Sequence, residues 1–167
     1  MLKNLVLLLV VLMSTKSLSQ LVEDDMVVNQ FLNDWHQAAA DADFDAYFGK
    51  MTDDAVFIGT DATENWQNKA FRQFSKPYFD KGKAWSFSVL DRHIYISGDG
   101  TFAWFDELLD TQMKICRGSG VLKKQYGQWK IAHYVLSLTV PNEHVPELIK
   151  IKKEKDSLLM QKFRRGH

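Results

Sequence analysis

The sequence predicts an α+β domain, with helices packed on one face of a strongly curved antiparallel sheet. Three observations carry this reading. Apolar residues recur at three- and four-residue intervals up to Phe79, the period changes to two from Lys83 onward, and turn signals at Ser97–Gly100 and Tyr126-Gly127 cut the second half into a meander of four strands. Helices first and strands afterwards is the order of an α+β layer architecture.

Between Asp24 and Ala42, residues Val27, Val28, Phe31, Leu32, Trp35, Ala38 and Ala39 fall on the helical period, so a long amphipathic helix is expected. A short helix over Asp45 to Met51, with Phe44, Tyr47 and Phe48 turned inward, leads to a short strand at AVFIG, Ala55 to Gly59. GTDATENW breaks both periods and reads as a loop. Asn68 to Phe79 is helical again, kinked or ended by Pro77.

From Lys83, Trp85, Phe87, Val89, Ile94 and Ile96 read as one long strand, SGDG as its hairpin turn, and Thr101 to Thr111 as the returning strand. Gly118 to Gln125 and Trp129 to Val140 form the second hairpin. Asn142 to about Phe163 is a lysine-rich helix with a broken apolar stripe of Val145, Leu148, Ile149, Leu158, Leu159 and Phe163, expected to pack weakly and to present a solvated basic face.

The chain has 167 residues, and its first nineteen read as a secretory signal peptide. Lys3 supplies the positive start, Leu5 to Met13 is apolar but too short to span a bilayer, and Ser17-Leu18-Ser19 is a small-x-small cleavage site before Gln20. An uncleaved N-terminal anchor is the alternative. The expected division is a signal peptide over 1–19, one domain over 20–140 and a basic helical tail over 141–167, with a periplasmic or secreted destination and no membrane span after cleavage. Removing Lys3 and Lys16 leaves 19 basic against 21 acidic residues, a balance that points away from nucleic acid. The charge is unevenly placed, acidic before Pro141 and basic after it.

Cys116 is the only cysteine, so no disulfide forms within the chain, and its surroundings TQMKICRGSG fit a structural thiol. The five histidines show no metal-binding spacing, and there is no phosphate loop, dinucleotide fingerprint or nucleophile elbow. No metal and no cofactor are expected. The residues that demand explanation are Asp106 and Glu107 in AWFDELLD: adjacent strand residues point to opposite faces, so one of two acids meets a buried surface and needs donors there.

Three stretches resemble the SnoaL-like branch of the nuclear transport factor 2-like superfamily: FLNDWHQAAADADFDAYFGKMTDDAVFIGTDATENW, AWFDELLD, and RGSGVL followed by GQWKIAHYVLS. They run from about Phe31 to Ser137. The resemblance implies a cone, a bent sheet wrapped around the first helix with a pocket at its open end, in a superfamily that holds isomerases, cyclases, dehydratases, hydrolases and proteins without chemistry. It further implies that Glu107 faces inward with Asp106 at a rim or in a cross-strand pair. With Gln125 opposite Gln128, the face carrying Trp129, Ile131, His133, Val135 and Ser137 is assigned inward, and the face carrying Ala132, Tyr134, Leu136 and Leu138 outward as a homodimer surface.

On that assignment, Glu107 and His133 are the candidate acid–base groups, with His133 or Arg117 as donors to Glu107. Trp35, Tyr47, Thr60, Asp61, Trp66, Trp104, Arg117 and Ser137 are the candidate ligand contacts, Thr60, Asp61 and Trp66 at the mouth and Trp35, Tyr47 and Trp104 in its walls or the core. Arg117 reaches the pocket only if a bulge turns it inward. Two functions follow: a module that binds a small, partly apolar molecule, or an isomerase-, cyclase- or dehydratase-like enzyme using Glu107 and His133.

Overall fold

The computed structural model describes residues 24–166. The expected signal peptide and its cleavage point before Gln20 lie outside the described residues. Helix α1 runs over 24–40 and places Val28, Leu32, Trp35, His36 and Ala39 on one buried stripe. Helix α2, Phe44–Gly49, is capped by the Asp43 carboxylate, which accepts from the Ala46 amide at 2.9 Å. It turns Tyr47 and Phe48 into the core.

Strand β1, Met51–Ile58, is longer than the AVFIG motif suggested and is followed by the short β2, Asn65–Gln67, and by helix α3, Asn68–Asp80. Pro77 lies inside α3 without ending it. The remaining strands are β3, Ser88–Ile96; β4, Phe102–Thr111; β5, Lys114–Gln125; and β6, Gln128–Leu138. After a short 3-10 turn at Asn142–His144, helix α4 spans Val145–Arg165 and buries none of its residues.

The six strands form one sheet in the order β2-β1-β6-β5-β4-β3. The meander β3 to β6 is antiparallel throughout, but β1 joins β6 in parallel, so the sheet is mixed at that edge. Tyr126 and Gly127 both take positive φ, +53° and +78°, the geometry of the two-residue hairpin turn whose twist suits the flanking strands. Helix α1 lies on the concave side, where Trp35 packs edge-on against Tyr134 with ring centroids 4.8 Å apart.

Two bulges set which residues reach that side. On β6, Ile131 pairs with Leu122 but His133 with Val121, leaving Ala132 as an extra residue. On β3, Val89 pairs with Leu109 but Asp91 with Leu108, leaving Leu90 extra. The first bulge reverses the expected faces of β6 beyond Ile131. Tyr134 and Leu136 are buried on the concave side, and His133 and Ser137 turn to the convex one. The segment 83–87, expected to be strand, lies outside β3.

Candidate functional site

The concave face carries a cross-strand row of Arg92 on β3, Glu107 on β4 and Gly118 on β5. Glu107 is 1% exposed. Its Oε1 lies 2.8 Å from His36 Nε2 and accepts from the Tyr134 hydroxyl at 3.0 Å. Its Oε2 accepts from Arg92 Nε at 2.8 Å, and Arg92 Nη2 stands at the same distance but off hydrogen-bond alignment. Arg92 Nη1 is spent on α1, donating to the Asn29 carbonyl at 3.1 Å and to the side-chain oxygens of Asn29 and Asn33 at 2.8 Å.

A carboxylate so buried would ordinarily hold its proton. Burial pushes the Glu107 carboxyl up, but the hydrogen bond and charge of His36 together with the Arg92 guanidinium outweigh it and hold the group below its ordinary value. Tyr134 moves the other way: burial first, then the Glu107 charge, raises its hydroxyl well above the usual range and keeps it a donor. Gly118 makes room for this cluster, since a Cβ there would run into the Tyr134 hydroxyl and come within 2.9 Å of Glu107 Cγ. Gly120 does the same for Phe105, whose ring would lie 2.7 Å from a Cβ. The glycines of GSG therefore admit neighbouring side chains.

His133 and Arg117, expected beside Glu107, are not its partners. His133 sits across from Val121 on the convex face, turned there by the Ala132 bulge, and Arg117 is exposed on that same face, 3.7 Å from Asp106. Asp106 also lies 3.4 Å from His93 Nδ1, so the second acid of AWFDELLD belongs to a cross-strand pair in solvent. Trp104 is 49% exposed on the convex face, stacked on Tyr95 at 5.7 Å, and Ser137 is exposed beside Arg117.

Glu107's actual partners had signals in the sequence. Ser97–Phe102 pairing at the SGDG turn, counted back along β3, brings Arg92 opposite Glu107. His36 follows Leu32 by four residues and so shares its buried stripe.

A cavity of about 210 Å³ opens at the mouth of the cone. Phe57, Phe71, Phe74, Trp85, Phe87 and Leu136 form its apolar wall, and Thr60, Glu64 and Gln112 its polar side. Of the candidate ligand contacts, Thr60 lines this cavity. Asp61 lines the adjoining groove beneath α4, while Trp66 stacks on Phe74 at 4.9 Å. Trp35 and Tyr47 are fully inside the core, stacked on each other at 4.9 Å. Glu64 helps fix the rim: its carboxylate accepts from the Asp61 amide at 3.2 Å and fills the space beside Gly59. Glu107 and His36 are not among the cavity's walls, although Phe87, which lines the cavity, packs edge-on against the His36 ring with centroids 5.8 Å apart. Among the described residues, no group of three or more His, Cys, Asp or Glu side chains is placed to hold a metal ion.

The family model of the SnoaL-like domain matches residues 28–141. No curated protein matches the chain. Among solved structures, the chain is similar to an NTF2-like protein of unknown function from Pseudomonas putida KT2440, at 18% identity over 71% of this chain and 88% of that one, with a TM-score of 0.59. It is similar to a candidate aromatic ring hydroxylase from Novosphingobium aromaticivorans, at 16% identity over 72% and 92% of the two chains and a TM-score of 0.61. A candidate dehydratase of the NTF2-like family from Streptomyces avermitilis matches at 12% identity over 68% and 94%, TM-score 0.58. These likenesses establish the cone fold, and the differing activities in their names leave the reaction open.

Proposed function

Because the chain belongs to the SnoaL-like domain family, we propose that it is a ligand-binding member, holding a small, partly apolar molecule at the cone mouth without transforming it. The observation that carries this reading is the division of labour between the two inner regions. The cavity wall is aromatic and open to solvent, whereas the acid of the cone is enclosed by three hydrogen bonds and the Arg92 charge and lies away from the cavity. A base must reach the substrate proton, and Glu107 is buried and does not line the cavity. Glu107 and His133 stand on opposite faces of the sheet, so they do not form one acid–base pair. A cavity of about 210 Å³ suits a molecule of the order of one ring system, oriented by Thr60, Glu64 and Gln112.

The same reading places the protein outside the cytoplasm, in the periplasm or secreted, on the strength of the apolar run and small-residue site before Gln20. It places a homodimer contact on the convex sheet face, where Tyr95, Trp104, Val121, His133 and Val56 form one continuous cross-strand row. Among the described residues no helix is long and apolar enough to cross a membrane.

Titration with single-ring aromatic and alicyclic compounds, followed by tryptophan emission and thermal melting, tests the cavity. Ligands should perturb the emission of Trp85 and raise the melting temperature, and Leu136→Phe, which narrows the cavity with an apolar residue, should abolish both effects. Conversion of any stabilising ligand, seen as a new product by mass spectrometry, would replace this reading with an enzymatic one.

A further inference from the structure

Helix α4 buries none of its 21 residues, although it carries eight large apolar side chains. At about 100° per residue, six of those fall within an arc of about 120°: Val145, Leu148, Ile149, Leu159, Met160 and Phe163. Lys152 and Asp156 occupy the middle of the same arc, ion-paired at 3.2 Å. The stripe is thus apolar at both ends and charged at its centre. Any stripe on a helix has positions symmetric about its midpoint, so the spacing alone says nothing about a partner. The residue types do.

Reversed end for end, the stripe presents apolar layers to apolar layers and opposite charges to each other. Val145 meets Phe163, the Leu148 and Ile149 layer meets Leu159 and Met160, and Lys152 meets Asp156. We propose that α4 is an interaction surface for a second copy of this chain, two α4 helices pairing antiparallel about a two-fold axis that crosses the stripe midway between Lys152 and Asp156, on the face opposite Glu154. Such an isologous contact lets one surface serve both protomers. The centre then holds two Lys152–Asp156 pairs across the seam, in addition to the pair within each helix, and these fix the register as central polar residues do in helical pairs. Lys153 and Lys155 flank the seam and keep their charges in water. In the parallel arrangement, Lys152 would face Lys152 and Asp156 face Asp156, so the charges select against it. Of the stripe, Lys152, Asp156 and Leu159 line an open groove of about 780 Å³ beside the 58–65 loop, and Val145, Leu148, Ile149 and Met160 line a second of about 400 Å³ along the helix, so the described residues leave this face of α4 uncovered.

This surface is separate from the convex sheet face, and the two are told apart by charge reversal on α4. Lys152→Asp makes the centre of the stripe wholly acidic and Asp156→Lys makes it wholly basic. By sedimentation equilibrium of the intact protein, each variant alone should show at least a tenfold weaker self-association that halves the mass of the assembly. An equimolar mixture of the two should recover the wild-type mass as a hetero-pair, and the exchanged double variant Lys152→Asp with Asp156→Lys should recover it alone. Recovery on mixing also rules out simple damage to the helix. A wild-type protein that is monomeric, a mass unchanged by either single substitution, or a mixture that stays dissociated would overturn the proposal. An assembly lost on Trp104→Asp but insensitive to all α4 variants would assign the contact to the sheet instead.

Discussion

Arg92 and Glu107 face each other across β3 and β4 on the concave side of the sheet, and the guanidinium Nε donates to the carboxylate at 2.8 Å. Both side chains are almost wholly withdrawn from solvent, at 3% and 0% exposure. A buried ion pair gives modest net stability because desolvation consumes much of the attraction, yet removing one partner is costly because the other charge is left behind. The surrounding bonds to His36, Tyr134, Asn29 and Asn33 tie α1, β3, β4 and β6 together at one point. What this cluster fixes is the seat of α1 in the cone, and therefore the wall from which the mouth cavity is built.

The first prediction separates the two acids of AWFDELLD. Glu107→Gln keeps the shape but turns an amide group toward donors and leaves Arg92 uncompensated, which should cost about 3 kcal/mol in urea unfolding, at the low end of the range for breaking buried pairs. Asp106→Asn touches only the exposed His93 and Arg117 and should change stability by less than about 0.5 kcal/mol. A stabilising Glu107→Gln would mean that the carboxylate is held there at a cost, for use on a ligand.

The pH dependence of stability follows from the same group. Glu107 holds its charge to lower pH in the folded protein than in the unfolded chain, so the unfolded chain takes up the proton first as the solution is acidified. Its contribution is complete above the ordinary value of 4.5 and is lost as pH falls below it. The gap in urea midpoint between wild type and Glu107→Gln should therefore be widest near neutrality and narrow below pH 4.5. Asp99, lowered to about 2 by the Ser97 hydroxyl and by Thr101, loses its contribution in acid in both proteins alike. A gap that stays constant or widens into acid would show that the charge of Glu107 is not what the cluster needs.

Gly118→Ala probes the space the cluster occupies. The added methyl would collide with the Tyr134 hydroxyl and with Glu107 Cγ, and neither can retreat without giving up a hydrogen bond. Overpacking of this kind costs about 1–3 kcal/mol. Combining Gly118→Ala with Tyr134→Phe, which removes the obstructing hydroxyl, should recover part of the loss in denaturant unfolding; strict additivity would place the clash elsewhere.

How far the sequence reaches is clearest at the bulges. The meander, its turns and the inward side of Glu107 were legible because period, turn chemistry and family resemblance agree there. Past Ile131 the apolar positions shift from odd numbers at Trp129 and Ile131 to even numbers at Tyr134, Leu136 and Leu138, as an extra residue at Ala132 requires; the inward assignment of His133, Val135 and Ser137 carried the odd phase straight through that shift, and His133 and Tyr134 exchange faces. Along β3 and the segment leading into it the same mark is present: apolar positions shift from odd numbers at Trp85, Phe87 and Val89 to even numbers at Ile94 and Ile96, as an extra residue at Leu90 requires. The parallel pairing of β1 with β6 joins segments some eighty residues apart and leaves no local trace.

The last prediction concerns the convex sheet face. The inward turn of Leu136 removes it as a surface probe, since Leu136→Asp would bury a charge beside the mouth cavity and unfold the protein rather than test an interface. Trp104 is the better probe: half exposed, stacked on Tyr95, and next to Val121 and His133 in the same row. If two sheets pack face to face there, Trp104→Asp should lower the mass of the assembly in sedimentation while the urea midpoint of the protomer stays near wild type, because the residue holds little of the core. An assembly whose mass is indifferent to Trp104→Asp would show that the convex face is left to solvent, with its aromatic pair stabilising the edge of a single protomer.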